Sequence, residues 1–173
     1  MIDLDKHGIS YLKFKPISSW NDDDFAKLFN AIASEHAAPV VDLPFIAENI
    51  EALLSVSSCR QCGNCCKAGI TNDENASVVA DKEELEAIAQ EINTDFKELA
   101  GKLSKHPTQK DAWCWPLPCL YYEDGQCRIY NVRPKVCRTY PLTGVAQDDI
   151  SYIAINLECD YGKDIYKRLL KGD

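Results

Sequence analysis

Histidine, methionine and long apolar runs are scarce in this chain. It holds three histidines and one methionine in 173 residues. No apolar stretch approaches the ~18 residues that a membrane helix needs, so no transmembrane span is expected. Positive charge is in deficit: 19 Lys and Arg stand against 27 Asp and Glu, for a formal net charge of −8. A general nucleic-acid binder needs a basic face, and that class is set aside. The opening MIDLDKHGIS lacks the apolar core of a secretory leader, which points to a cytoplasmic protein with reduced thiols. No glycine-rich phosphate loop, Ser-His-Asp order or isolated carboxylate pair stands out, so neither nucleotide-dependent nor hydrolytic chemistry is indicated.

Cysteine is what the chain does have. It holds nine, and four of them fall in CRQCGNCC at Cys59, Cys62, Cys65 and Cys66. In a reducing compartment such crowding suggests metal ligation before disulfides, and the odd total would leave one thiol over. Two intervening residues let two thiolates in a tight turn face one metal, with the turn's N–H groups bonding the sulfurs. Cys59, Cys62 and Cys65 extend that spacing, as ferredoxins do around three corners of an iron–sulfur cluster, with a remote cysteine completing the set. Gly63 allows a positive φ inside the turn. Adjacent side chains diverge, so Cys66 is expected to point away from Cys65, toward a second metal or the far side of a polynuclear site. Further on, CLYYEDGQCRIYNVRPKVCRTYP sets Cys119, Cys127 and Cys137 across an Asp-Gly turn and an Arg-Pro corner. Arg60, Lys67, Arg128, Arg133, Lys135 and Arg138 lie beside these cysteines and are candidates to balance thiolate charge. Cys114, between Trp113 and Trp115, reads as a small buried hydrophobe outside the site. His106 sits in a polar loop, and His7 and His36 read as solvated.

The remaining pattern predicts an α+β fold: a mostly helical single domain around an irregular cysteine-rich metal centre, with a small hairpin. A strand is expected over 9–15. Helices are expected over 18–36, capped by Asn21 or Asp22, and over 41–56, with Asp42 as cap and Pro44 in the first turn. Two more follow over 81–92 and 93–105, the latter capped by Asn93 or Thr94. The acid-rich stretch 71–100 reads as a solvated helical face. A short strand is expected at CRIY, a hairpin over 144–155 and a last helix over 160–170. The organisation is then 1–56 for the N-terminal strand and helices, 57–160 for the metal-chelating region and 161–173 for the C-terminal helix.

The cysteine pattern resembles the CxxCxxCC family of zinc- or iron-chelating domains. The opening motif matches at Cys59, Cys62, Cys65 and Cys66. The later block matches at Cys119, Gly125, Cys127, Ile129, Tyr130, Arg133, Pro134, Cys137, Arg138, Tyr140 and Pro141, and the final cysteine at Cys159. The resemblance implies eight ligands, Cys59, Cys62, Cys65, Cys66, Cys119, Cys127, Cys137 and Cys159, and gives Cys114 no place. Leu120 and Tyr121 stand where the family often has Pro and Phe. The family has also been labelled flagellin N-methylase, but this chain shows no glycine-rich loop for S-adenosylmethionine. The three-cysteine run favours an iron–sulfur cluster, while eight thiolates could also close two tetrahedral zinc sites. The expected function is metal chelation, with metal ions as partners and neither nucleic acid nor membrane. The alternatives are a redox or group-transfer enzyme using that centre, and an interaction module whose metal is purely structural.

Overall fold

The computed structural model describes residues 2–35, 38–67 and 77–172. His36, and residues 71–76 of the acid-rich stretch, lie outside the described residues. In chain order the elements are two 3-10 turns, Ser10–Phe14 and Ile17–Ser19, then α1 (Asp22–Ser34), β1 (Val40–Pro44), α2 (Ala47–Leu54) and α3 (Asn64–Lys67). They continue with β2 (Ser77–Asp81), α4 (Lys82–Glu91), α5 (Phe96–Gly101), β3 (Ser104–Lys105), β4 (Ala112–Pro116), β5 (Tyr122–Glu123) and β6 (Gln126–Cys127). A 3-10 turn at Tyr130–Val132, α6 (Lys135–Thr139), β7 (Leu142–Gln147), β8 (Ile150–Ile155) and α7 (Asp160–Lys171) complete the chain. The class is α+β, as the sequence predicts.

The chain forms two compact units, one of residues 1–60 with 141–173, the other of residues 61–140. The first is built on the antiparallel sheet β1-β8-β7. The hairpin expected over 144–155 is present and turns at Asp148 and Asp149. Ile153 and Ile155 of β8 are fully buried, as is Ile165 of α7, and Leu142, Leu157, Phe25 and Ile32 are buried with them. Helix α1 starts with the capping box that the sequence offers. The Asp24 N–H donates to the Asn21 side chain, and the Asn21 N–H donates to the Asp24 carboxylate. Asp24 is buried and held down to about 2, chiefly by the Lys15 ammonium and also by the Asn21 amide and the Tyr11 hydroxyl.

Three expectations in this unit are corrected. Residues 9–15 form no strand. Buried Ile9 and Leu12 are three apart, the spacing of a 3-10 turn, and the Leu12 N–H donates to the Ile9 carbonyl at 3.0 Å. The helix expected over 41–56 begins at Ala47, with Ile46 and not Asp42 at its N-cap. Val40 and Val41 instead pair with Ala154 and Ile153, and Pro44 ends that strand; β-branched residues that find a partner strand override local helical periodicity. Helix α1 starts at Asp22, not at residue 18.

The second unit carries a sheet, β2-β4-β3, that the sequence reading missed. Its register sets Val78 opposite Trp115 and Ala80 opposite Trp113. These four residues form one core with Leu85, Ile88, Ala89, Leu99 and Ile129. The helix expected over 81–92 is present as α4, and Asp81 caps it in a second capping box with Glu84. The helix expected over 93–105 covers only Phe96–Gly101. Asp95, not Asn93 or Thr94, caps it, because Asn93 turns left-handed at φ 52° to end the preceding helix. The strand expected at CRIY is two residues, Gln126–Cys127, folded on Tyr122–Glu123 around Asp124 and Gly125, both at positive φ.

Candidate metal centre

Six of the eight expected ligands lie in the 61–140 unit: Cys62, Cys65, Cys66, Cys119, Cys127 and Cys137. The loop bearing the first three is shaped by Gly63, at φ 78°. A Cβ at that position would sit 2.1 Å from the Tyr122 ring, so glycine is demanded by space as well as by conformation. The Tyr122 hydroxyl donates to the Cys62 carbonyl at 3.3 Å, tying the loop to β5. The chain then makes the single turn α3, whose Cys66 and Lys67 N–H groups donate to the Gly63 carbonyl. That turn overturns the expectation that Cys66 points away from Cys65: the two sulfurs are 3.9 Å apart.

One remote cysteine, Cys119, is bonded to the same loop. The Cys119 N–H donates to the Cys66 carbonyl at 2.7 Å. The Cys66 thiol donates toward Cys119 and Cys65, which holds its own proton firmly and pushes its pKa up. The same hydrogen bond draws Cys119 down to about 6, helped by the Tyr121 N–H and by the nearby Trp115 indole, whose N–H falls short of hydrogen-bond geometry. Cys65 is drawn down to about 7 by Cys66, its own backbone and the charge of Arg133. Cys137 is pushed up to about 12 by burial first, then by the nearby charges of Cys65, Cys119 and Cys127, with Arg133 opposing. Burial likewise raises Cys127. Cys119, Cys127 and Cys137 all pack against the core that holds Trp115 and Ile129. Electrostatic influence thus links Cys65, Cys66, Cys119, Cys127 and Cys137, lowering Cys65 and Cys119 and raising the other three.

Of the six cations expected to balance these thiols, Arg133 acts on Cys65, Cys127 and Cys137. Four of the others have different engagements. Arg60 pairs with Asp160 and Asp164, Arg128 with Glu123 and Asp124, and Arg138 with Glu84. Lys67 lies over the Tyr122 ring, and the Lys135 backbone N–H donates to Glu84. Glu84 therefore joins the cap of α4 to the start of α6, the helix that carries Cys137.

The other two expected ligands, Cys59 and Cys159, belong to the unit of residues 1–60 and 141–173. There Arg60 and Ser57 bond Asp164, and Arg60 also pairs with Asp160, so the segment that bears Cys59 is held on the first turns of α7. Cys159 is buried at the N-cap of that helix. Cys114 is half-buried, not fully buried as expected, because β4 alternates and sends Trp113 and Trp115 into the core on the opposite face. The His106 ring accepts from the Thr108 and Gln109 N–H groups, and His7 bonds Glu35 at 2.8 Å.

The family model for CxxCxxCC, described as a putative zinc- or iron-chelating domain, matches residues 58–160, more than half of the chain. The chain belongs to this family. The match covers the whole of the 61–140 unit and reaches Cys59 and Cys159 on either side. No solved structure matches the chain. Among the described residues no helix is long and apolar enough to cross a membrane.

Among the described residues, no three Cys, His, Asp or Glu side chains are placed so that together they could hold a metal ion. The donor chemistry nonetheless fits a zinc- or iron-chelating domain. Two thiols are drawn toward the thiolate form that binds metal, and the 3.9 Å between Cys65 and Cys66 is close to the sulfur–sulfur edge of about 3.8 Å that a tetrahedral site with 2.3 Å zinc–sulfur bonds would have. Sequence reasoning missed Trp115 as a supporting residue and the contact that Tyr122 makes with Gly63. The first had a signal in the alternation of AWCWP, whereas contact of Tyr122 with Gly63 had none.

Proposed function

We propose that this protein chelates an iron–sulfur cluster or zinc through its cysteines, with Cys65, Cys66, Cys119, Cys127 and Cys137 at the heart of the site. The observation that carries the reading is the gathering of the CxxCC turn and three remote cysteines into one environment that holds Arg133. Cys62 joins them from the same loop. Cys59 and Cys159 are assigned by the spacing of the family motif. A resident metal would supply a polarising or electron-carrying centre. The chain's own part is to present deprotonated sulfurs, to exclude water with the Trp115–Ile129 core and to offset negative charge with Arg133. The repeat of three through Cys59, Cys62 and Cys65 favours the iron–sulfur form. The close contact of Cys65 and Cys66 favours the second reading, zinc held by single sulfurs. Anaerobic purification followed by elemental analysis and visible absorption separates them: iron with sulfide and a visible charge-transfer band supports the first, colourless stoichiometric zinc the second.

A further inference from the structure

Two buried polar atoms in the 61–140 unit have no hydrogen-bond partner, Nε1 of Trp115 and Nε of Arg133. Native proteins rarely leave such donors unmet, and each exception asks for a reason. Trp115 is 1 % exposed, locked by its pairing with Val78 in the sheet and by an edge contact with Tyr121 at 5.7 Å. It could not turn its N–H toward water without leaving the core. Arg133 is fixed as firmly. Its guanidinium stacks on the Tyr130 ring at 3.8 Å, and Pro134 follows it with a fixed φ at the start of α6. Both lie among the cysteines. Cys119, Cys127 and Cys137 pack against the cluster that contains Trp115, and Arg133 sits in the chain between Cys127 and Cys137.

We propose that the Trp115 indole N–H and the Arg133 guanidinium are built-in donors to the metal-bound sulfurs, their acceptors being the thiolates of the loaded centre. The inference rests on the metal-chelating reading above. A thiol is a weak acceptor and a thiolate a strong one, so the two donors find full partners only when the sulfurs carry charge. Such donors both orient the ligands and offset charge that the metal does not cancel. Trp115 serves the Cys119 side, and Arg133 serves the side of Cys65, Cys127 and Cys137. Both are positioning residues and neither touches the metal.

The test is zinc affinity, measured by chelator competition on the full-length protein, together with the melting temperature of the metal-free form. Trp115→Phe keeps the packing and removes the N–H; Arg133→Gln removes the charge; Arg133→Lys keeps it without Nε. Affinity should fall by about 10-fold for Trp115→Phe and by about 10- to 100-fold for Arg133→Gln, the range for loss of partners that support metal ligands. Arg133→Lys should recover part of that loss. In the wild type the Trp115 indole proton resonance should shift on zinc loading, while that of Trp20, which already donates to the Lys15 carbonyl at 2.9 Å, should stay in place. Wild-type affinity in both Trp115→Phe and Arg133→Gln, or an unmoved Trp115 resonance, overturns the inference alone. Failure of the wild type to bind either zinc or iron overturns the metal-chelating reading itself.

Discussion

The two units solve the same problem by different means. Residues 1–60 and 141–173 build around one regular sheet, with six-residue strands in the hairpin and Ile153, Ile155 and Ile165 fully buried. The 61–140 unit has a smaller sheet, two-residue strands at β5 and β6, and three thiols, Cys119, Cys127 and Cys137, packed beside its apolar core. A fully buried aliphatic side chain stabilises its surroundings whatever the solution holds. A thiol cluster does so conditionally, because neighbouring thiolates repel until a cation joins them. Away from Cys59 and Cys159, the apolar core of the first unit should accordingly be indifferent to metal, and the second unit should depend on it.

The sharpest break between the two comes from one cysteine. Structural zinc sites contribute roughly 10–16 kcal/mol of apparent binding free energy near neutral pH. Cys137→Ala should abolish stoichiometric metal and make residues 61–140 protease-sensitive. Cys114→Ala, on the opposite face of β4 from Trp115, should leave metal content unchanged. Limited proteolysis with metal analysis reads both, and the reverse pattern would place the ligands on the wrong cysteines. The converse substitution is Ile153→Ala, which should cost about 2–5 kcal/mol in denaturant unfolding while metal per chain stays at the wild-type value. Loss of metal in that variant would show that the first unit is not indifferent.

Gly63→Ala sharpens the comparison inside the second unit. Positive φ costs a non-glycine residue about 1–2 kcal/mol, and the added Cβ meets the Tyr122 ring. The loop must shift, so metal affinity should fall more than metal-free stability does. Titration of the zinc-binding isotherm beside thermal melts checks it; equal losses would make Gly63 a purely structural glycine.

The smallest effect is on pH. Cys65 and Cys119 are lowered from 9.0 to about 7 and about 6, so their contribution to stability is complete above pH 9 and is lost as pH falls through 7 and 6. Cys137 is raised to about 12, so it opposes folding as pH climbs from 9 toward 12. Metal-free protein should be most stable near pH 9, with thiolate ultraviolet absorbance growing between pH 5 and 8. A featureless titration until pH 8 would mean that the sulfurs do not share protons as described.

Local signals were legible where chemistry is local. Asn21 announces its helix because the capping residue lies next to the helix it starts, whereas the Asp81–Glu84 box, equally local, was not read. The C-x-x-C-x-x-C-C run announced the family for the same reason. The pairing of β2 with β4 was not legible, since it joins Ser77 to Pro116 across the chain and neither strand has a turn signal pointing to the other. The same distance hid β1, whose Val40 and Val41 await β8. The contact of Cys65 with Cys66 was misread because adjacent side chains diverge in an extended chain, and only the turn at Asn64–Lys67 brings them together. Arg133 was named among six equal cations; what singles it out is its action on three thiols, while Arg60, Lys67, Arg128 and Arg138 find other partners.

Metal content per chain, measured on wild-type protein purified without air, tests the central claim most directly. The account predicts stoichiometric iron or zinc, released in step with modification of Cys65 and Cys119 by a thiol reagent. Protein that is folded across residues 61–140 yet carries neither metal, and takes up neither when offered, would contradict it.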